Sequence, residues 1–162
     1  MLEFQIAGEA LMEWMRSLYN HYVETSTATF HMSPVDRESF RRMMFSDVHA
    51  YPCFIMSDEG KTVGYCALCP FSDREAYRPT AEVSIYIHPD MTGKGYGSSA
   101  LDYLEEQARE KGFCSLVARI CSENALSCRI FEKKGFRRVG CLKEVGLKFG
   151  RLLDVNLYQM QL

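Results

Sequence analysis

No stretch of this chain stays apolar for the roughly 18 residues that a membrane helix needs, so a spanning segment is not expected. The first residues, Met1-Leu2-Glu3-Phe4, lack the basic start of a secretory signal. A net charge of −2 supplies no cationic field for nucleic acid. Histidine is scarce: His21, His31, His49 and His88 stand at no metal-ligand spacing. Internal repeats, low-complexity runs and interdomain linkers are missing as well. These absences lead us to expect a cytoplasmic chain with no membrane partner, no nucleic acid and no metal, folded as one domain over residues 1–162.

The composition, 47% hydrophobic and 25% charged, is that of a globular protein able to bury a sizeable core. Seven cysteines are many, and an odd number. Most lie inside apolar runs, as small buried hydrophobes do. The one close pair, Cys66-x-x-Cys69, has no second pair and no histidine at finger spacing, so free thiols in a reducing compartment are expected.

Periodicity predicts a short strand at 2–7 and a helix from Ala10 to Val23 with Leu11, Trp14, Met15, Leu18 and Tyr22 on one stripe. A second helix is expected from Pro34 to Met44. A hairpin should join 51–56 to 62–68 through Asp58-Glu59-Gly60-Lys61. After a polar loop over 70–80, a strand at 82–87 leads into a glycine-rich loop and a helix closed by Gly112. A buried parallel strand at 115–120, a helix at 124–134 and two closing strands at 139–145 and 153–160 complete the order. The class is α/β, a mixed central sheet flanked by helices.

The stretch from Val83 to Arg109 organises the rest. An apolar, β-branched strand breaks at His88-Pro89, because proline lacks an amide hydrogen and restricts the residue before it. Gly93, Gly95 and Gly97 follow at every second position, and then a helix. Strand, glycine loop and helix make a phosphate holder, since the first amides of a helix are unpaired and point outward with the helix dipole behind them. A nucleoside-triphosphate loop requires Lys-Ser or Lys-Thr after its last glycine, and Ser98-Ser99 stands there. A dinucleotide fingerprint, formally Gly95-x-Gly97-x-x-Ala100, requires an acidic residue about 20 positions on; the next strand runs out at Ala118-Arg119-Ile120 without one.

Thr92-Gly93-Lys94-Gly95-Tyr96-Gly97 resembles the pyrophosphate loop of the Gcn5-related N-acetyltransferases (GNAT). The segment Asn124-x-x-Ser127-x-x-x-Phe131-x-x-x-Gly135-Phe136 resembles the one that lies against pantetheine in that superfamily. Within it, five separated segments resemble the phosphinothricin and methionine-sulfoximine acetyltransferases. They are Tyr19 to Phe30, Gly64 to Phe71, Ala76-Tyr77-Arg78, Glu82 to Pro89, and Val145 to Val155 with Lys148 and Asp154.

The resemblance implies a GNAT fold with an interrupted, splayed central strand pair, acetyl-CoA as co-substrate and a homodimer. Ile85, Tyr86 and Ile87 would pair with pantetheine through their backbone. Thr92, Gly93, Lys94, Gly95, Tyr96, Gly97 and Ser98 would hold the diphosphate, and Asn124, Ser127 and Phe131 would flank the pantetheine arm. The acceptor would be the α-amine of a small amino acid such as methionine sulfoximine, methionine sulfone or phosphinothricin, walled by Phe30 and Tyr77 and clamped at its carboxylate by an arginine of the 70–80 loop, Arg74 ahead of Arg78.

Glu82 is the expected catalytic base, working through a water and also touching the acceptor. A carboxylate that opens an apolar strand is partly desolvated, which raises its pKa toward useful strength. Phe131 has no proton for the leaving thiolate, so a water supplies it, a neighbour such as Tyr86 assists, or the thiolate leaves alone, the last two being preferred. Two alternatives stay open: an acetyltransferase for another amine, a polyamine or a peptide N-terminus, and a non-catalytic acyl-CoA-binding module.

Overall fold

In the computed structural model, which describes residues 1–162, seven strands form one mixed sheet in the order β1-β2-β3-β4-β5-β7-β6. The strands are β1 (Leu2–Ile6), β2 (Cys53–Asp58), β3 (Lys61–Pro70), β4 (Thr80–Ile87), β5 (Ser115–Cys121), β6 (Arg137–Lys148) and β7 (Arg151–Gln161). The helices are α1 (Met12–Thr25), α2 (Arg37–Phe45), α3 (Tyr96–Glu110) and α4 (Ala125–Lys133). Only β4 and β5 run parallel, as the intervening α3 crossover requires.

Both faces of the sheet are covered, and the strand pleat sorts the side chains between two cores. Cys53, Ile55, Tyr65 and Ala67 turn to one face and pack with Met12, Met15, Tyr19 and Phe40 of α1 and α2. Phe54, Met56, Cys66 and Leu68 turn to the other and pack with Leu101, Leu104 and Phe131 of α3 and α4. That is why these strands read as continuous apolar runs rather than alternating ones.

Two expected boundaries move for identifiable reasons. A 3₁₀ turn at Glu9–Leu11 delays α1, so the covered stripe is Met12, Met15, Leu18, Tyr19 and Val23, and Leu11 is exposed. The closing strands are longer than their alternation suggests. Their register shifts between Leu142 and Gly146, where Glu144 takes φ 50°, and such a bulge hides the period of two. The hairpin between β2 and β3 forms where it was expected, with Glu59 and Gly60 at φ 49° and 76° making a tight two-residue turn.

The centre of the sheet is forked. Strands β4 and β5 pair only from Thr80 to Glu82, against Ser115 to Val117. Beyond Glu82, β4 stays with β3 as far as Ile87, while β5 follows β7 as far as Cys121. The expected splayed central pair is therefore present, and Glu82 stands at its fork.

Candidate active site

At the end of β4 the chain turns through a 3₁₀ segment, Pro89–Met91, into the glycine loop. Gly93 and Gly95 lie at φ 77° and 85°, in the left-handed region that side chains with a Cβ enter only at a cost. Gly95 is the N-cap of α3, and no side chain caps that helix. The first ladder bond runs from Ser99 N–H to Gly95 O (3.1 Å), so the amides of Tyr96, Gly97 and Ser98 have no acceptor within the helix. These outward-facing amides make a candidate anion site built of backbone. The Tyr96 hydroxyl donates to Asp58 Oδ2 (2.7 Å), tying the loop to the β2–β3 turn.

A cleft of about 1000 Å³ leads from these amides into the fork. Ile85, Tyr86 and Ile87 line one wall, and Asn124, Ser127 and Phe131 of the α4 region line the other. Asn124 caps α4 by accepting from Ser127 N–H (3.2 Å). His88 N–H donates to Val63 O (2.8 Å), which fixes the alternation of the β3–β4 ladder. It follows that Glu82, Ser84 and Tyr86 turn their backbone groups to β3, whereas Val83, Ile85 and Ile87 turn theirs into the fork. The Ile87 carbonyl already accepts from the Tyr22 hydroxyl (2.5 Å). Ile85 and the Ile87 amide thus present the free edge, and Tyr86 contributes its side chain rather than its backbone.

A second cavity of about 560 Å³ lies deeper and shares Ile85, Tyr86, Asn124, Ser127 and Phe131 with the first. Glu82, Arg119, Tyr19, Phe30 and Cys69 are among the rest of its lining. The environment expected for Glu82, a lone carboxylate among apolar neighbours, is corrected by the structure. Arg119 donates to it in a fork, from Nε to Oε1 at 2.9 Å and from Nη2 to Oε2. The pair also pushes the Arg119 guanidinium further toward its charged form, chiefly through that hydrogen bond. Phe131 is buried and packs edge-on to Phe136 with ring centroids 4.9 Å apart. Tyr86 is ringed by Tyr19, Tyr22 and Tyr65, and burial pushes its hydroxyl far above the usual phenol value.

The segment Ser26–Phe30 roofs both cavities and is held from across the sheet. Lys148, buried on β6, donates to Ser26 O and Thr29 O, each at 2.7 Å. Burial pulls its ammonium below the ordinary lysine value. Gly146 lies so close under Phe30 that a methyl group there would overlap the edge of the ring at Cε2 and Cδ2. Asp154 accepts from Glu144 N–H (2.8 Å) and Lys143 Nζ (3.0 Å), which pins the bulge that carries Gly146.

Of the residues expected at the site, all but three line one cavity or both. Lys94 is exposed, its ammonium beside Met91 Sδ. Arg74 and Tyr77 sit on the β3–β4 loop outside both cavities, Tyr77 edge-on to Phe71. Arg74 is the N-cap of the 3₁₀ turn Glu75–Tyr77, and Tyr77 is its last residue. Residues that sequence reasoning passed over are Arg119, Gly146 and the tether made by Lys148. Arg119 had a signal, since it is the one charge inside the otherwise apolar strand Ser115 to Cys121.

The chain matches the acetyltransferase (GNAT) family over residues 15–136. It is 36% identical over 160 residues to an L-methionine sulfoximine/L-methionine sulfone acetyltransferase of Pseudomonas aeruginosa, covering 96% of this chain and 92% of that protein. To a phosphinothricin N-acetyltransferase of Alcaligenes faecalis it is 35% identical over 148 residues, covering 90% and 75%. Its structure superposes with a TM-score of 0.92, at 29% identity, on a phosphinothricin acetyltransferase from Sinorhizobium meliloti in complex with acetyl-CoA, covering 99% of this chain and 88% of that one. With a backbone anion site feeding a forked sheet and these relatives along nearly its whole length, the chain belongs to the GNAT family of N-acetyltransferases.

Proposed function

We propose that the protein transfers the acetyl group of acetyl-CoA to the α-amine of a small amino acid or analogue, of the methionine sulfone, methionine sulfoximine or phosphinothricin type. One observation carries this reading: a cleft that begins at three free helix amides meets, at the fork of β4 and β5, a cavity containing a carboxylate. In this reading the amides of Tyr96, Gly97 and Ser98 take the diphosphate. The free edge at Ile85 and Ile87 pairs with the pantetheine arm as an added strand would, and Asn124, Ser127 and Phe131 flank it. The thioester then lies beside Glu82.

The chemistry balances as follows. The α-ammonium gives one proton through a water to Glu82, and the freed amine attacks the thioester carbonyl. The C–N bond forms and the C–S bond breaks, and the nitrogen sheds its second proton to water. Coenzyme A leaves as a thiolate, which takes a proton from solvent. Its pKa, about 8.5 by analogy with cysteine, lies far below that of the buried Tyr86 hydroxyl. Tyr86 is therefore suited to donate a hydrogen bond to the sulfur and not to surrender its proton.

Two further features belong to this reading. The edge strand β6 exposes Val139, Val145 and Leu147, beside Leu152 of β7, which supports a homodimer. Seven free cysteines suit the reducing cytoplasm. The test is thiol release from acetyl-CoA across a panel of amino acids, polyamines and peptides. Turnover with the methionine analogues supports the proposal. Turnover with polyamines alone, or coenzyme binding with no turnover, refutes it.

A further inference from the structure

Arg119 is poorly explained as a mere partner for Glu82. Because Glu82 lies opposite Val117, and side chains two apart on a strand share a face, Glu82, Val117 and Arg119 stand on one face of the sheet. The Arg119 side chain reaches back along β5 to meet Glu82 across the fork. Guanidinium has five N–H donors, and Glu82 takes one from Nε and one from Nη2. Both N–H groups of Nη1 and the second of Nη2 have no acceptor in the protein, and the side chain is 53% exposed, whereas that of Glu82 is 19% exposed. Arg119 is the only lysine or arginine in the lining of the inner cavity, and Glu82 the only carboxylate. Much of the remaining wall is apolar, with Phe30, Met43, Met44 and Val155.

Resting on the acetyl-transfer reading above, we propose that Arg119 is the seat of the acceptor's α-carboxylate, and that Arg119 and Glu82 together are a preformed template for the zwitterionic head of an α-amino acid. The α-carboxylate takes the free edge of the guanidinium, where planar, two-pronged pairing is available. The α-ammonium, one carbon away, comes to the Glu82 carboxylate that is to receive its proton. A zwitterion seated alongside this half-exposed pair leaves each of its charges partnered, and the less exposed Glu82 is never left without a cation. An amine with no carboxylate meets instead a cation beside the base and is disfavoured. The apolar walls then favour the methyl-capped side chain that methionine sulfone, methionine sulfoximine and phosphinothricin share. This assigns to Arg119 the role that Arg74 and Arg78, which line neither cavity, do not fill.

The experiment compares two acceptors, methionine sulfone and its decarboxylated amine, 3-(methylsulfonyl)propan-1-amine, in wild-type protein, Arg119→Ala and Arg119→Lys. The readout is the ratio of their kcat/KM values, since releasing Glu82 alters both acceptors alike while the carboxylate contributes to one only. Loss of a charged hydrogen-bonded pair should lower the ratio roughly 10- to 100-fold in Arg119→Ala. Arg119→Lys should recover part of it, with the KM for acetyl-CoA unchanged in both. A ratio equal to that of wild-type protein overturns the inference and leaves the acetyl-transfer reading standing, as does a wild-type preference for the decarboxylated amine. If wild-type protein acetylates neither compound nor any other amine, both fall together. Should Arg119→Ala fail to bind acetyl-CoA as a folded protein does, the ratio in Arg119→Lys decides.

Discussion

The two cavities that meet at the fork are built from different materials. The outer one rests along one side on backbone, two glycines at positive φ, three unpaired helix amides and the free edge of β4, all within residues 85–98, and is faced by Asn124, Ser127 and Phe131. The inner one is a product of side chains brought from far apart, Phe30, Glu82 and Arg119, over a roof held by Gly146 and Lys148. A backbone site tolerates changes of side chain and fails when φ is disturbed. A side-chain site behaves in the opposite way, and its specificity is open to change without loss of the coenzyme.

The sharpest way to break that contrast is at the fork itself. Glu82→Gln keeps the shape of the inner cavity and removes the proposed base, so kcat should fall about 10²- to 10⁴-fold, with acetyl-CoA affinity nearly intact by titration. Full rate across pH in that variant would remove Glu82 from the mechanism. Next in size is a pair of changes in the outer site. Gly95→Ala places a Cβ at φ 85°, which costs about 1–2 kcal/mol although nothing stands within 4 Å, and should weaken acetyl-CoA binding about tenfold. Gly97→Ala, in the first turn of α3, meets only Ile130 Cδ1 at 3.9 Å and should weaken it much less. Equal losses in the two would show that space, not conformation, is the determinant.

A smaller effect is expected at Gly146. A methyl group there must displace the Phe30 ring, so Gly146→Ala should raise the acceptor KM several-fold and leave the acetyl-CoA KM alone. Phe30→Ala in the same protein should remove the clash, which steady-state kinetics on the double variant would reveal. The smallest effect concerns Asp154, whose carboxyl is held below the usual range, first by the Glu144 amide and then by Lys143. A depressed folded value means that its stabilisation is present above the ordinary carboxylate pKa, about 4, and is lost as pH falls through the folded value. The advantage in Tm of wild-type protein over Asp154→Asn should therefore shrink on acidification from pH 7 to 3. A constant difference would mean that Asp154 does not hold the bulge through its charge.

What could be read in the chain beforehand follows the same division. The glycine loop announces itself because each of its requirements, positive φ, a strand before and an uncapped helix after, is met by residues adjacent in sequence. Pleating likewise set Glu82, Ser84 and Tyr86 on one face, although β4 begins at Thr80, two residues before the expected start at Glu82. The acceptor side was only partly legible. Arg74 was a sound expectation for a carboxylate clamp by chemistry, but it lies on a loop that lines neither cavity. Gly146 lay just past the strand expected at 139–145 and was given no role, because the shift in register that sets it beneath Phe30 is invisible to a period of two.

The sequence by itself determined the elements, their order and the glycine loop before an uncapped helix, since these depend on φ, on hydrogen bonds four residues apart and on periodic burial, all short-range properties of the chain. Only the tertiary structure decided where β4 and β5 part, that Arg119 meets Glu82 37 residues away, and that Lys148 fastens a carbonyl 119 residues before it. Those contacts depend on strand order and register across the sheet, with β7 inserted between β5 and β6. No local preference encodes that arrangement, because it is the burial of two cores at once that selects it.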